Sequence, residues 1–250
     1  MIPARKFPLG KKLVWRLIDS SLRKHFDRIF LRLRGERSDE LRALPIIACA
    51  NHSSWWDGYL ATLVERSLGV DTYLMMEEAQ LRRYFFFAWA GCFSVDRQNT
   101  RSALQSLQYA ARLLKEKPGR MVWLFPQGEI FPNDRRPLVF YNGASYLARM
   151  TAPVLLYPVA TRIEYQAEQR PDLFISVGEP LRIDAQDTRA AGFLKSSTKQ
   201  LEELVTAELD LLRADINARD LDSFTRIMRG RSSTNRIFDA LLFRKQIGRQ

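Results

Sequence analysis

His52 and Asp57 are the residues whose types and spacing best suit chemistry, in the stretch Asn51-His52-Ser53-Ser54-Trp55-Trp56-Asp57-Gly58. The other histidine, His25, falls in a basic helical segment with no carboxylate partner in view. On one regular helix, five positions would set the two side chains about 140° apart, so pairing needs His52 on a turn and Asp57 just inside the helix that follows. There the carboxylate holds one imidazole nitrogen as N–H and leaves the other as a base. A plainer reading also fits: Ser53 or Ser54 caps the helix, Asp57 favours its positive end, and His52 is a satisfied turn residue.

The flanking pattern supplies the turn. Residues 45–50 are an apolar run of strand length, and residues 59–68 carry apolar side chains at helical spacing. Apolar runs at 72–76, 92–95, 121–125, 153–160 and 173–177 read as further strands, and 77–90, 102–117, 143–150 and 194–216 as helices. Such alternation predicts an α/β fold with a largely parallel central sheet, helices on both faces and active residues at strand carboxyl ends. His52, Arg97 and Gln127 all fall at such ends. A basic amphipathic helix is expected over 11–34, and a helical tail from 225 onward with Ile237, Phe238, Leu241, Leu242 and Phe243 as apolar anchors.

Charge is concentrated at the ends. The chain has 250 residues and a net charge of +11, of which residues 1–37 hold +8 and residues 221–250 hold +5, leaving −2 between them. That distribution, with no nucleic-acid or Gly-rich phosphate motif, argues against a nucleic-acid partner and for basic ends lying on an anionic membrane surface. Packing of the first helix on its own domain is the alternative. No signal peptide or membrane-spanning run is present, so a peripheral position on the cytoplasmic face of a membrane is expected. Cys49 and Cys92 lie in apolar surroundings without metal-ligand spacing, so neither a disulfide framework nor a metal site is expected.

Four blocks between residues 45 and 160 together resemble the glycerolipid acyltransferase family, which includes lysophosphatidic acid and glycerol-phosphate acyltransferases. Asn51-His52 with Asp57 is similar to its N-H-x-x-x-x-D block, and Gly91-Cys92-Phe93-Ser94-Val95-Asp96-Arg97 to the block ending in a phosphate-contacting arginine. Phe125-Pro126-Gln127-Gly128-Glu129 resembles F-P-E-G-T, and residues 153–159 resemble the proline-bearing fourth strand. Gln127 and Glu129 depart from the family's glutamate and threonine, which bears on the acceptor.

The resemblance implies a catalytic domain over 38–220, between a membrane-surface helix over 1–37 and a basic tail over 221–250. It implies transfer of a fatty acyl group from an acyl thioester, acyl-CoA or an acidic acyl carrier protein, to a lipid hydroxyl, with no bound cofactor. His52 would be the general base oriented by Asp57, and Arg97 with Phe125, Pro126, Gln127, Gly128 and Glu129 would meet substrate. Backbone N–H groups near Gly128 would be available to an oxyanion. The rival reading is a non-enzymatic membrane-surface binding protein that keeps the fold.

Overall fold

In the computed structural model, which describes residues 1–34, 43–166, 168–231, 234, 235 and 238, helix α1 (Pro8–His25) opens on Pro8, whose missing N–H costs nothing in a first turn. Gly10, Val14, Ile18 and Leu22 form its buried stripe. The chain then leaves the helix at Phe26, and Arg28–Leu33 is strand β1. The single helix expected over 11–34 is thus corrected. Ile29, Phe30 and Leu31 are consecutive and all buried, which suits a strand covered on both faces and not one helical stripe.

The remaining elements follow as β2 (Ile46–Ala50), α2 (Asp57–Leu68), β3 (Asp71–Glu77), α3 (Glu78–Arg83), a 3-10 turn (Phe85–Ala90), β4 (Cys92–Val95), α4 (Thr100–Glu116) and β5 (Arg120–Leu124). Then come α5 (Gly143–Thr151), β6 (Val154–Glu164), β7 (Asp172–Val177), β8 (Leu181–Ile183), α6 (Phe193–Ala218) and β9 (Thr225–Arg229). They build one mixed sheet in the order β4-β3-β5-β2-β6-β7-β1-β9, with β8 paired to β6. The half that carries the motifs, β4-β3-β5-β2-β6, is parallel throughout, while β6–β7, β6–β8 and β1–β9 are antiparallel.

Alternation along each strand sends side chains to the two faces of the sheet. Ile46, Ala48, Met121 and Trp123 face α1 and α2, and Ile47, Cys49, Val122 and Leu124 face α4, α5 and the start of α6. Complete burial of Ile46 through Ala50 explains why β2 reads as an unbroken apolar run.

Both basic ends join this body. Val14, Ile18 and Leu22 sit in the same cluster as β2, and each is worth about 2 kcal/mol when buried. Strand β1 pairs with β7 and β9. Arg32 is buried with its guanidinium on Ser176 (2.8 Å) and Asp215 (2.5 Å). The stretch from 225 begins as β9, not a helix. Phe238 is exposed, while Ile237, Leu241, Leu242 and Phe243 lie outside the described residues.

Candidate active site

At the carboxyl end of β2 the chain stops pairing as strand and Asn51 takes over the join to β6. Its side-chain oxygen accepts the Thr161 N–H at 2.7 Å, and its amide donates to the Thr161 carbonyl (3.0 Å) and to Asn133 Oδ1 (2.8 Å). The next residue, His52, is held on three sides. Its N–H donates to Gln127 Oε1 at 2.7 Å, its carbonyl accepts from the Phe131 N–H at 2.8 Å, and its ring stacks on Phe125 at 4.3 Å and 19°.

Asp57 begins α2 and turns back over the loop. One oxygen, Oδ2, accepts from the Ser53 N–H (2.6 Å), the Ser54 N–H (2.8 Å) and His52 Nδ1 (3.0 Å), and Oδ1 accepts from Ser54 Oγ (2.8 Å). Only 1% of this side chain is exposed, against 21% for His52. Four donors are what a carboxylate needs to be tolerated at that depth. An ionised carboxylate only accepts, so Nδ1 carries the proton and Nε2 keeps its lone pair. The residue before α2 is Trp56, which makes no side-chain cap, while Ser54 Oγ takes the Trp56 N–H at 3.2 Å and so holds the turn that leads into the helix.

From β5 the chain enters a tight turn in which the Gly128 N–H donates to the Phe125 carbonyl at 3.0 Å and Gly128 adopts φ +74°. That N–H is therefore committed, and an oxyanion would need another donor. A Cβ on Gly128 would lie 2.6 Å from Arg97 Nη1 and 2.9 Å from the Tyr141 ring, so the glycine lets the guanidinium rest against the turn. Arg97, delivered by the end of β4, stands 3.9 Å from Glu129 and not on Asp96, whose carboxylate takes the Gln98 N–H.

These ends surround a cavity of about 660 Å³. His52, Arg97, Phe125, Pro126, Gly128 and Glu129 line it, and its apolar walls include Tyr59, Leu74, Met76 and Phe87 on one side of the sheet and Leu107 and Ala144 on the other. Gln127 is not part of the wall, since its oxygen is spent on His52. Cys92 also reaches the cavity, but burial pushes its thiol up to about 12, which keeps it protonated and poorly nucleophilic. Sequence reasoning missed Asn51 as the tie to β6 and Phe125 as the ring beneath His52. The apolar partners of an imidazole have no spacing signature, whereas an asparagine ending a buried run was a readable clue.

The family model described as Acyltransferase matches residues 32–162, just over half of the chain. The chain belongs to the acyltransferase family. A search of curated proteins finds no match to it. The matched span of this acyltransferase runs from the end of β1 into β6 and holds every cavity-lining residue named above, so the family assignment and the geometry meet at the same strand ends.

Proposed function

We propose that the protein transfers a fatty acyl group from an acyl thioester to a hydroxyl of a lysophospholipid or related lipid, with His52 as general base. The observation that carries this reading is the pairing of His52 Nδ1 with a buried Asp57 while no described residue hydrogen-bonds Nε2 and the ring borders an apolar cavity. The acceptor O–H gives its proton to Nε2 as its oxygen bonds to the thioester carbonyl carbon. Collapse of the tetrahedral intermediate breaks the C–S bond, and the imidazolium returns the proton to the departing thiolate. The products are an ester and a free thiol, with no acyl-enzyme. Positioning of the two substrates supplies much of the acceleration.

Arg97 is the group offered to an acceptor phosphate, because a fork of N–H donors suits phosphate oxygens. Glu129 at 3.9 Å favours a second version of the acceptor, in which the headgroup carries less negative charge than a phosphate monoester or none. The donor is acyl-CoA or acyl carrier protein. The test is thiol release from each acyl thioester, measured with lysophosphatidic acid, glycerol phosphate, zwitterionic lysophospholipids and uncharged glycerolipids in turn. Release that depends on both acceptor and His52 supports the reading. No release with any pair would leave the non-enzymatic binding protein in its place.

A further inference from the structure

Many of the apolar side chains that stay exposed are grouped. On α1, Leu9, Leu13 and Leu17 are 75%, 49% and 52% exposed and follow one another every four residues, flanking the buried stripe about 100° from Gly10, Val14 and Ile18. At about 100° per residue, Lys24 falls within that arc, and Arg16 and Lys12 extend it on the side away from the buried stripe. From the start of α1 an unbroken series of ring contacts then leads across the surface. Phe7 meets Trp89 at 5.7 Å, Trp89 meets Phe85 at 5.7 Å, and Phe85 meets Phe86 at 6.1 Å. Phe86 meets Tyr84 at 6.3 Å, and Tyr84 meets Trp55 at 6.4 Å. Trp55 is itself exposed and lines the catalytic cavity, as do the exposed Ile130 and Tyr141.

We propose that this surface, the outer leucine stripe of α1 with the aromatic belt from Phe7 to Trp55, seats on an anionic bilayer, and that the cavity takes lipid from it past Trp55. The lipid-loading clause rests on the acyl-transfer reading; the docking does not. Three features select a bilayer as the occupant. Leucines beside lysines and an arginine, with the one acidic residue of α1, Asp19, tied to Arg66, match acyl chains beneath anionic headgroups. Tryptophan and tyrosine favour the headgroup boundary, where a ring is half apolar and half wet. The belt also ends on the cavity rim, where a substrate with an apolar tail must arrive. No described helix is long and apolar enough to cross a membrane, so the contact is lateral.

Removing residues 1–34 would test nothing, because α1 fills the core and β1 lies inside the sheet. The experiment uses the full chain and point variants that alter only exposed side chains. Co-sedimentation is measured with phosphatidylcholine vesicles and with vesicles containing phosphatidylglycerol, at low and high salt. The double variant Leu13→Glu/Leu17→Glu is expected to lose about tenfold or more in vesicle partitioning. Lys12→Glu/Arg16→Glu is expected to lose the preference for anionic vesicles and most of the salt dependence. Turnover on a detergent-dispersed acceptor should stay within about twofold for both, with the defect appearing only when the acceptor is embedded in vesicles. Leu13→Gln/Leu17→Gln, with melting temperatures for each protein, separates loss of docking from loss of fold. Partitioning unchanged in correctly folded variants would overturn the proposal, as would a self-associating chain whose dimer the leucine variants dissolve without wild-type vesicle binding. Binding lost as expected in a chain that transfers no acyl group would uphold the docking surface and reject the enzyme reading.

Discussion

Replacing Asp57 by asparagine separates two roles that its carboxylate combines, orientation and charge. Three N–H groups, from Ser53, Ser54 and His52, converge on Oδ2, whereas Oδ1 meets only the Ser54 hydroxyl. An amide fits that arrangement in one way, with its oxygen in place of Oδ2 and its NH2 donating to a hydroxyl that can turn to accept. The reverse flip would press an NH2 against three donors. The correct tautomer of His52 is therefore expected to survive in Asp57→Asn, and only the stabilisation of the developing imidazolium is lost. Unit charges about 4 Å apart at an effective dielectric near 20 attract by about 4 kcal/mol. With half the proton transferred in the transition state the loss is about 2 kcal/mol, or about thirtyfold in kcat. Asp57→Ala removes the common acceptor of all three N–H groups and should cost more, in stability as well as rate. The assay is thiol release at saturating donor and acceptor, with melting temperatures alongside. A loss for Asp57→Asn of about four orders of magnitude, the scale expected of a wrong tautomer, would refute the locked-amide argument. A loss under about threefold would refute the charge argument.

His52→Ala is expected to abolish transfer and leave the fold intact, since the ring is partly exposed on a turn; near wild-type thiol release would reject the mechanism. Arg97→Ala should raise the acceptor KM well above any change in the donor KM, and equal changes would mark Arg97 as structural. Gly128→Ala should mimic that acceptor defect, because a Cβ there would stand 2.6 Å from the Arg97 guanidinium at a backbone φ of +74°, and steady-state kinetics with varied acceptor will read it. Hydrogen bonds from Arg162 hold the Asp134 carboxyl below its ordinary range, so this tie stabilises the 130–141 loop above that range and is lost as pH falls through the depressed value. Asp134→Asn should accordingly flatten the acid limb of the melting-temperature profile.

Strand ends were legible where burial is two-sided or a turn residue follows. The run at 46–50 has no polar interruption and that at 92–95 only the small, buried Ser94, and Gly91 and the Pro118-Gly119 pair mark where β4 and β5 begin. Strand β1 was not legible, because Arg28 and Arg32 follow a genuine amphipathic helix at a spacing that continues its pattern for two more turns. What decides otherwise is distant in sequence: Asp172 on β7 takes Arg28, and Ser176 and Asp215 take Arg32. Periodicity sees neither partner. The same blindness made the positive ends look like appendages, although both supply strands to the sheet.

The third block shows how a departure from a family pattern changes meaning once its contacts are known. Read as a string, glutamine in place of glutamate removes a charge from a site that holds an arginine. In the fold, Gln127 spends its oxygen on the His52 N–H and stays out of the cavity wall, so the position asks for an acceptor and not for a negative charge. Either side chain provides one. Gln127→Glu should therefore retain most turnover with its preferred acceptor unchanged, while Gln127→Leu, which offers no acceptor, should lower kcat with every acceptor alike by letting His52 move. Specificity would then rest on position 129, where the carboxylate faces Arg97 across the cavity rim, and Glu129→Thr becomes the variant that shifts acceptor choice toward more negatively charged headgroups. A Gln127→Glu enzyme that switched acceptors while Glu129→Thr did not would reverse this assignment.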